Sequence, residues 1–303
     1  MALWKHLVGL KQPHHDWYAP HGHHGKPDES QKNGVEQSEA VEITYLGTAG
    51  FILQSPARTL VLDPYVSRPN IRETLTKALI PDAALIRRLI PHADDVLVGH
   101  AHYDHVLDSP TLCQQTGARL IGSRAVAMVG RAAGLPEAQI VETSGNEDIA
   151  SGTWTIRGLP SRHGKVFGRI PIPGDITEPP PWPPRMVNLK HGLVLNWVVN
   201  TGSLRIMHID SADFIPAELK DIQVDVLCLC AIGRQYRPNY VREVVALVKP
   251  RWIIPCHWDT MFTPIEDEPD LIPTVDLLGF IDEIRAEGVE PLLTPILGKQ
   301  TFG

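Results

Sequence analysis

The chain is short of cysteine and short of positive charge. Four cysteines in 303 residues, Cys113, Cys228, Cys230 and Cys256, are too few and too unevenly spaced for a disulfide framework. That points to a reducing compartment, the cytoplasm. Lys and Arg number 28 against 35 Asp and Glu, a net charge of −7. A general nucleic-acid binder needs a basic footprint to neutralise phosphates, so this balance argues against one. Long apolar runs are also missing: none approaches the ~20 residues that span a bilayer. The opening MALWKHLVGL has no continuous hydrophobic region and no small-residue cleavage site, which argues against a signal peptide. It is read as docking on the protein's own surface, with peripheral membrane contact as the alternative. The rest, 43% hydrophobic and 21% charged, is ordinary for a globular protein with a sizeable core.

Residues 1–40 are polar and rich in His, Pro and Gly, with little periodicity, and read as an irregular arm. Its histidines His14, His15, His21, His23 and His24 suit weak metal binding, or simply a solvated extension. From Val41 to residue 303 the pattern is that of a single domain. VEITYLG, GFILQS and TLVLDPY are short apolar or alternating runs between turn residues, hence strands. PDAALIRRLI, SPTLCQQTG, RAVAMVGRAAG, NYVREVVALVKP and TVDLLGFIDEIRAEG have helical spacing, and DDVLVGH, RLIGS, TWTIRGLPSRH, VDVLCLCA, RWIIPCHWD and EPLLTPIL read as strands. GLVLNWVVNTGSLRIMHIDSADF reads as a hairpin. Prolines forbid helix and central strand across residues 169–184. A loop of that length inside a domain is more often functional than idle, so it is expected to cover or shape a pocket. Strands and helices recur in the same coarse order, which suggests two αβ halves packed sheet on sheet.

Four strands end in residues that ligate metals. GHAHYDHV contains His100, His102, Asp104 and His105. The other strand ends offer His163, Asp210 and His257. His100 and His102, two apart, point the same way in an extended segment. Asp104 and His105 follow where the chain can turn toward a second nearby point. One loop can thus serve two ions, and imidazole with carboxylate suits zinc, with manganese or iron as alternatives.

The pattern His-x-His-x-Asp-His followed by His163, Asp210 and His257 resembles the metallo-β-lactamase superfamily over essentially the whole chain from Val41. The resemblance implies an α/β fold, a four-layer αβ/βα sandwich with a two-metal site at its edge. Carried over, one metal takes His100, His102 and His163, the other takes Asp104, His105 and His257, and Asp210 bridges them. A hydroxide between the ions would attack an ester-type bond. The carboxylate at Asp210 argues against antibiotic hydrolysis. ITYLGTAGFIL, LDPYVSRP, SRHG, IDSADF and KPRWIIPCHWD resemble a branch of ascorbate-6-phosphate lactonase-like and N-acylphosphatidylethanolamine phospholipase D-like hydrolases, which implies a small-molecule or lipid-like ester, phosphodiester or lactone. The alternatives are a di-iron redox protein of the same fold and a nuclease.

Around these ligands, Asp63 and Asp259 are candidates to orient metal-bound histidines, or turn-capping residues. Arg68, Arg162, Lys165 and Arg234 fall near the expected rim and suit a phosphate or carboxylate of substrate, or are solvated cations. Tyr103 is a candidate substrate contact. His208 shares a strand face with Asp210 and reads as a satisfied near-site histidine, while His92 and His191 carry no signal beyond surface placement. Cys228 and Cys230, on an apolar strand, read as core.

Overall fold

A computed structural model describes residues 11–25 and 40–303; the MALWKHLVGL segment lies outside them. The first half of the chain builds an eight-stranded sheet from β1 (His23–His24), β2 (Val41–Gly47), β3 (Gly50–Gln54), β4 (Thr59–Leu62), β5 (Asp95–Leu97), β6 (Arg119–Gly122) and β7 (Ile140–Glu142). The second half builds a seven-stranded sheet from β8 (Asp148–Ser151), β9 (Trp154–Ser161), β10 (Val194–Asn200), β11 (Arg205–Ile209), β12 (Val226–Cys230), β13 (Trp252–Cys256) and β14 (Glu290–Pro291). The last strand, β15 (Lys299–Phe302), crosses back and inserts between β1 and β2 of the first sheet.

Alternation along the strands explains the layering. Ile43, Tyr45, Leu60, Leu62 and Leu97 face the second sheet and pack with Leu195, Trp197, Ile206 and Val226. Their neighbours Leu46, Val61, Val96 and Val98 face the other way, onto Ile86, Val106, Leu112 and Val129. Both faces of the sheet are apolar, so both must be covered. The helices α1 (Ile71–Thr76), α2 (Ala83–Leu89), α3 (Tyr103–Val106), α4 (Ser109–Thr116) and α5 (Arg124–Ala132) belong to the first half. α6 (Pro216–Leu219), α7 (Tyr240–Val248) and α8 (Leu277–Ala286) belong to the second, α7 and α8 packing through Val244, Val248, Phe280 and Ile284. The result is the expected four-layer αβ/βα sandwich.

Several elements differ from the sequence reading. EPLLTPIL yields only the two-residue β14, and β15 and α1 were not anticipated. Both are short and mostly polar, and their structure comes from pairing and packing rather than from local pattern. Part of the arm is laid on the body: β1 pairs in parallel with β15, and His24 Nε2 meets Gln300 Oε1 at 2.8 Å. His14, His15 and Asp16 form an exposed group. All four cysteines are free and buried, and among the described residues no helix is long and apolar enough to cross a membrane.

Candidate metal centre

β5 ends at Leu97, and the chain runs on through Gly99 to His100 and His102 before α3 turns Asp104 and His105 back toward them. β9 delivers His163, β11 delivers Asp210 and β13 delivers His257, all from the second sheet. The centre therefore lies where the C-terminal ends of strands from both sheets meet. All seven side chains are buried. Their ligand atoms fall into overlapping groups, each within 4.8 Å: His100, His102 and His163; Asp104, His105 and His257; and His100, His105 and Asp210.

Hydrogen bonds decide which ring nitrogen each histidine presents, because a carbonyl or carboxylate accepts and the other nitrogen keeps its lone pair. His105 Nδ1 donates to Asp63 Oδ2 at 2.7 Å, while Asp63 Oδ1 accepts from the Gly99 amide at 2.7 Å. His163 Nδ1 donates to the Gly164 carbonyl at 2.6 Å. His100 Nδ1 donates to Asp210 Oδ2 at 2.5 Å. His257 Nε2 lies 3.4 Å from Asp104 Oδ2. The lone pairs of His100 Nε2 and His102 Nδ1 face each other at 2.9 Å. Two lone pairs so disposed repel unless a cation draws them together.

The protonation states point the same way. Burial, then the neighbouring imidazoles, holds His100 well below the usual histidine value. Burial takes His102 down to about 4 and His105 to about 3, and it lowers His163 as well. These imidazoles are neutral at neutral pH, as ligation requires. Burial alone would raise Asp104, but His105 and His257 outweigh it and hold its carboxyl below the usual range. Burial and the charge of Asp210 push Asp63 well above that range. Carboxylates are crowded among neutral imidazoles, and Asp210 Oδ1 is buried without a hydrogen-bond partner. A divalent cation is what this donor set fits.

Backbone shape supports the arrangement at Gly99. A Cβ there would overlap the Asp210 carboxylate, lying 2.6 Å from its Cγ. Gly99→Ala is expected to displace Asp210 and to lower the stability of the metal-free protein by about 1–3 kcal/mol through overpacking. Urea denaturation read by intrinsic fluorescence checks this.

The centre lies in a cavity of about 1160 Å³ whose walls include Ile71, Val166, Phe167, Ile170, Pro171, Ile172, Met186, Met261 and Ile272. Tyr103 lines it and directs its hydroxyl to Met261 Sδ at 2.8 Å. Residues 169–173 form part of its wall.

The anticipated cations are elsewhere. Arg68 is fully buried and paired with Asp259 at 2.9 Å, because an interior guanidinium needs a countercharge. Arg234 lies over the Phe280 ring and pairs with Glu283 at 3.3 Å, beside a separate cleft. Arg162 and Lys165 are exposed and outside the cavity wall. The wall does contain Arg169, which the sequence reading passed over. It read His191 as a surface residue without signal, yet the ring centroid of His191 lies 5.8 Å from that of His102 and 5.7 Å from that of His163. Only its place seven residues past the proline-rich loop could have signalled it. His208 donates to the Ala49 carbonyl at 2.9 Å, a buried histidine with a partner. Asp259 receives Tyr45 Oη–H and the Thr48 amide, both at 2.8 Å, rather than a histidine side chain.

The sequence profile of the Beta-lactamase superfamily domain matches residues 42–257. A protein of Anaeromyxobacter sp. strain K named a metal-dependent hydrolase is 28% identical over 244 residues, which are 76% of this chain and 78% of that one. A protein of Pyrobaculum islandicum with the same description is 26% identical over 239 residues, covering 76% and 89%. Among solved structures, a metallo hydrolase from Ignicoccus hospitalis aligns with a TM-score of 0.57 at 16% identity, covering 87% of this chain and 99% of that one. The diiron β-hydroxylase CmlA from Streptomyces venezuelae aligns with 0.56 at 14% identity, covering 89% and 55%. The two structural likenesses show the fold.

Proposed function

Because the chain belongs to the beta-lactamase superfamily, we propose that it is a metal-dependent hydrolase acting on an ester-type bond in a substrate with an apolar body. The observation that carries this reading is a pair of buried ligand triples on the wall of an apolar cavity. In this reading His100, His102 and His163 hold one divalent ion. Asp104, His105 and His257 hold a second, with Asp210 shared between them. Zinc is the first choice from the donor set, before manganese and iron. Bound there, such ions lower the pKa of water toward neutrality and polarise the bond to be cleaved.

The chain's own residues supply the rest. Asp63 and the Gly164 carbonyl hold the Nδ1 protons of His105 and His163, so that Nε2 of each is presented. Partners of this kind fix ring orientation and raise ligand basicity. The largely apolar walls fit a lipid-like or other apolar ester, and Arg169 at the wall suits an anionic group on it. The bond is a phosphodiester or a lactone. Relatives named metal-dependent hydrolase support the reaction class.

The test is a metal titration with a paired rate assay. Zinc- and manganese-loaded protein is offered a chromogenic phosphodiester in one arm and a panel of medium-chain lactones in the other. Two ions per chain and chelator-sensitive turnover in one arm are expected, and that arm names the bond. Two bound ions without turnover in either arm, together with oxygen consumption by iron-loaded protein, would replace this reading with a di-iron redox one.

A further inference from the structure

The proline-rich segment contacts the metal centre as well as the cavity. The Ile172 carbonyl accepts a hydrogen bond from His102 Nε2 at 3.4 Å. A carbonyl cannot donate, so Nε2 carries the proton and Nδ1 the lone pair. Nδ1 is the atom that faces His100 Nε2. One backbone oxygen therefore selects the nitrogen that His102 offers to the three-histidine group.

That oxygen is held by a backbone that departs from ordinary preference. Ile172 has φ +37°, in the left-handed region that β-branched residues avoid. It stands between Pro171 and Pro173, whose rings fix their own φ, and a residue before proline normally takes an extended conformation. Such strain persists where the surroundings over-determine it, as at ligand clamps. Here a bracket of contacts holds the segment. The Gly192 amide donates to the Gly174 carbonyl at 2.9 Å, His191 Nδ1 donates to the Gly192 carbonyl at 2.5 Å, and the Ala101 amide donates to the His191 carbonyl at 3.0 Å. The His191 ring stands against His102 and His163.

We propose that Ile172 is a positioning residue: its strained carbonyl fixes the tautomer of His102, so that the conformation of residues 169–174 and the affinity of the three-histidine group for metal are coupled. Coupling of this kind is reciprocal. A displaced segment weakens the ion, and the ion stiffens the segment. The proposal rests on the metal-centre reading above and makes no use of the reaction.

Metal-free wild type and the double variant Pro171→Gly/Pro173→Gly are titrated with zinc against a chromogenic chelator, and with cobalt read by its visible absorption. In the variant one of the two binding steps is expected to weaken about 10- to 100-fold, the range for lost partners of ligating histidines, with the other unchanged. Ile172→Gly takes this φ without strain and keeps the carbonyl, so it is expected to retain wild-type affinity. In full-length wild type, zinc is expected to slow hydrogen exchange of the Ile170, Ile172 and Gly174 amides at least about tenfold. This readout decides the matter should the double variant fail to fold. Unchanged affinity in a folded double variant, or unchanged exchange in wild type that binds two ions, overturns the proposal alone. Wild type that binds no metal overturns the reading beneath it.

Discussion

Asp210→Ala is expected to reduce kcat/KM by at least about a thousandfold, equivalent to about 4 kcal/mol of transition-state stabilisation. Asp210 receives the Nδ1 proton of His100 at 2.5 Å and lies 3.7 Å from His105 Nδ1. It joins one histidine of the first ligand triple to one of the second. In the proposed centre its loss removes the shared ligand, and it frees the His100 ring to turn. The variant should bind fewer zinc ions per chain in a mass-spectrometric count under native conditions. It should also lose most of the stabilisation that zinc gives wild type, about 2.7 kcal/mol at a hundredfold excess over Kd. A variant that retains two ions and wild-type turnover would remove Asp210 from the centre.

Arg68→Ala is expected to destabilise the protein by about 3–5 kcal/mol, because it strands a buried carboxylate without its cation. The Arg68–Asp259 pair is fully buried at 2.9 Å, and the guanidinium also meets the Leu46 carbonyl at 3.2 Å. The melting temperature should fall by roughly 6–15 °C. The damage also reaches the metal centre. Asp259 holds Tyr45 Oη and the Thr48 amide, and the backbone amide of His257 donates to the Thr48 carbonyl at 2.5 Å, next to Tyr45 Oη at 3.2 Å. His257 itself stands at φ +54°, a conformation that needs such support. Arg68→Met combined with Asp259→Asn removes both charges while leaving an acceptor for Tyr45 and Thr48. It should recover most of the lost stability, which a double-mutant cycle by chemical denaturation would measure.

Much of the candidate centre was legible because its ligands are dense in sequence. His100, His102, Asp104 and His105 occupy six positions after an apolar strand, and His163, Asp210 and His257 each close a strand of their own. Period-two alternation likewise revealed most strands, whose two faces have different neighbours. The cations were not legible. Whether an arginine is solvated or interior depends on a partner far away in the chain, as Asp259 is for Arg68 and Glu283 for Arg234. The part played by Ile172 rests on a main-chain oxygen, which leaves no trace in residue identity. His191 looked idle because its neighbours in space, His102 and His163, lie on other segments. β15 is too short and too polar to announce itself, and its pairing with β2 is settled only in three dimensions.

That last strand bears on how the chain is made. Lys299–Phe302 fill the gap between β1 and β2, so on the ribosome β2 waits for this neighbour until all the strands of the second sheet have been made. Until then β2 offers an open edge, the sort of template on which nascent chains pair with one another. His257 also emerges late, so the full set of seven candidate ligands is complete only after most strands of both sheets have been made. Recombinant expression should therefore gain more from slow translation or a holdase chaperone than from metal added to the medium.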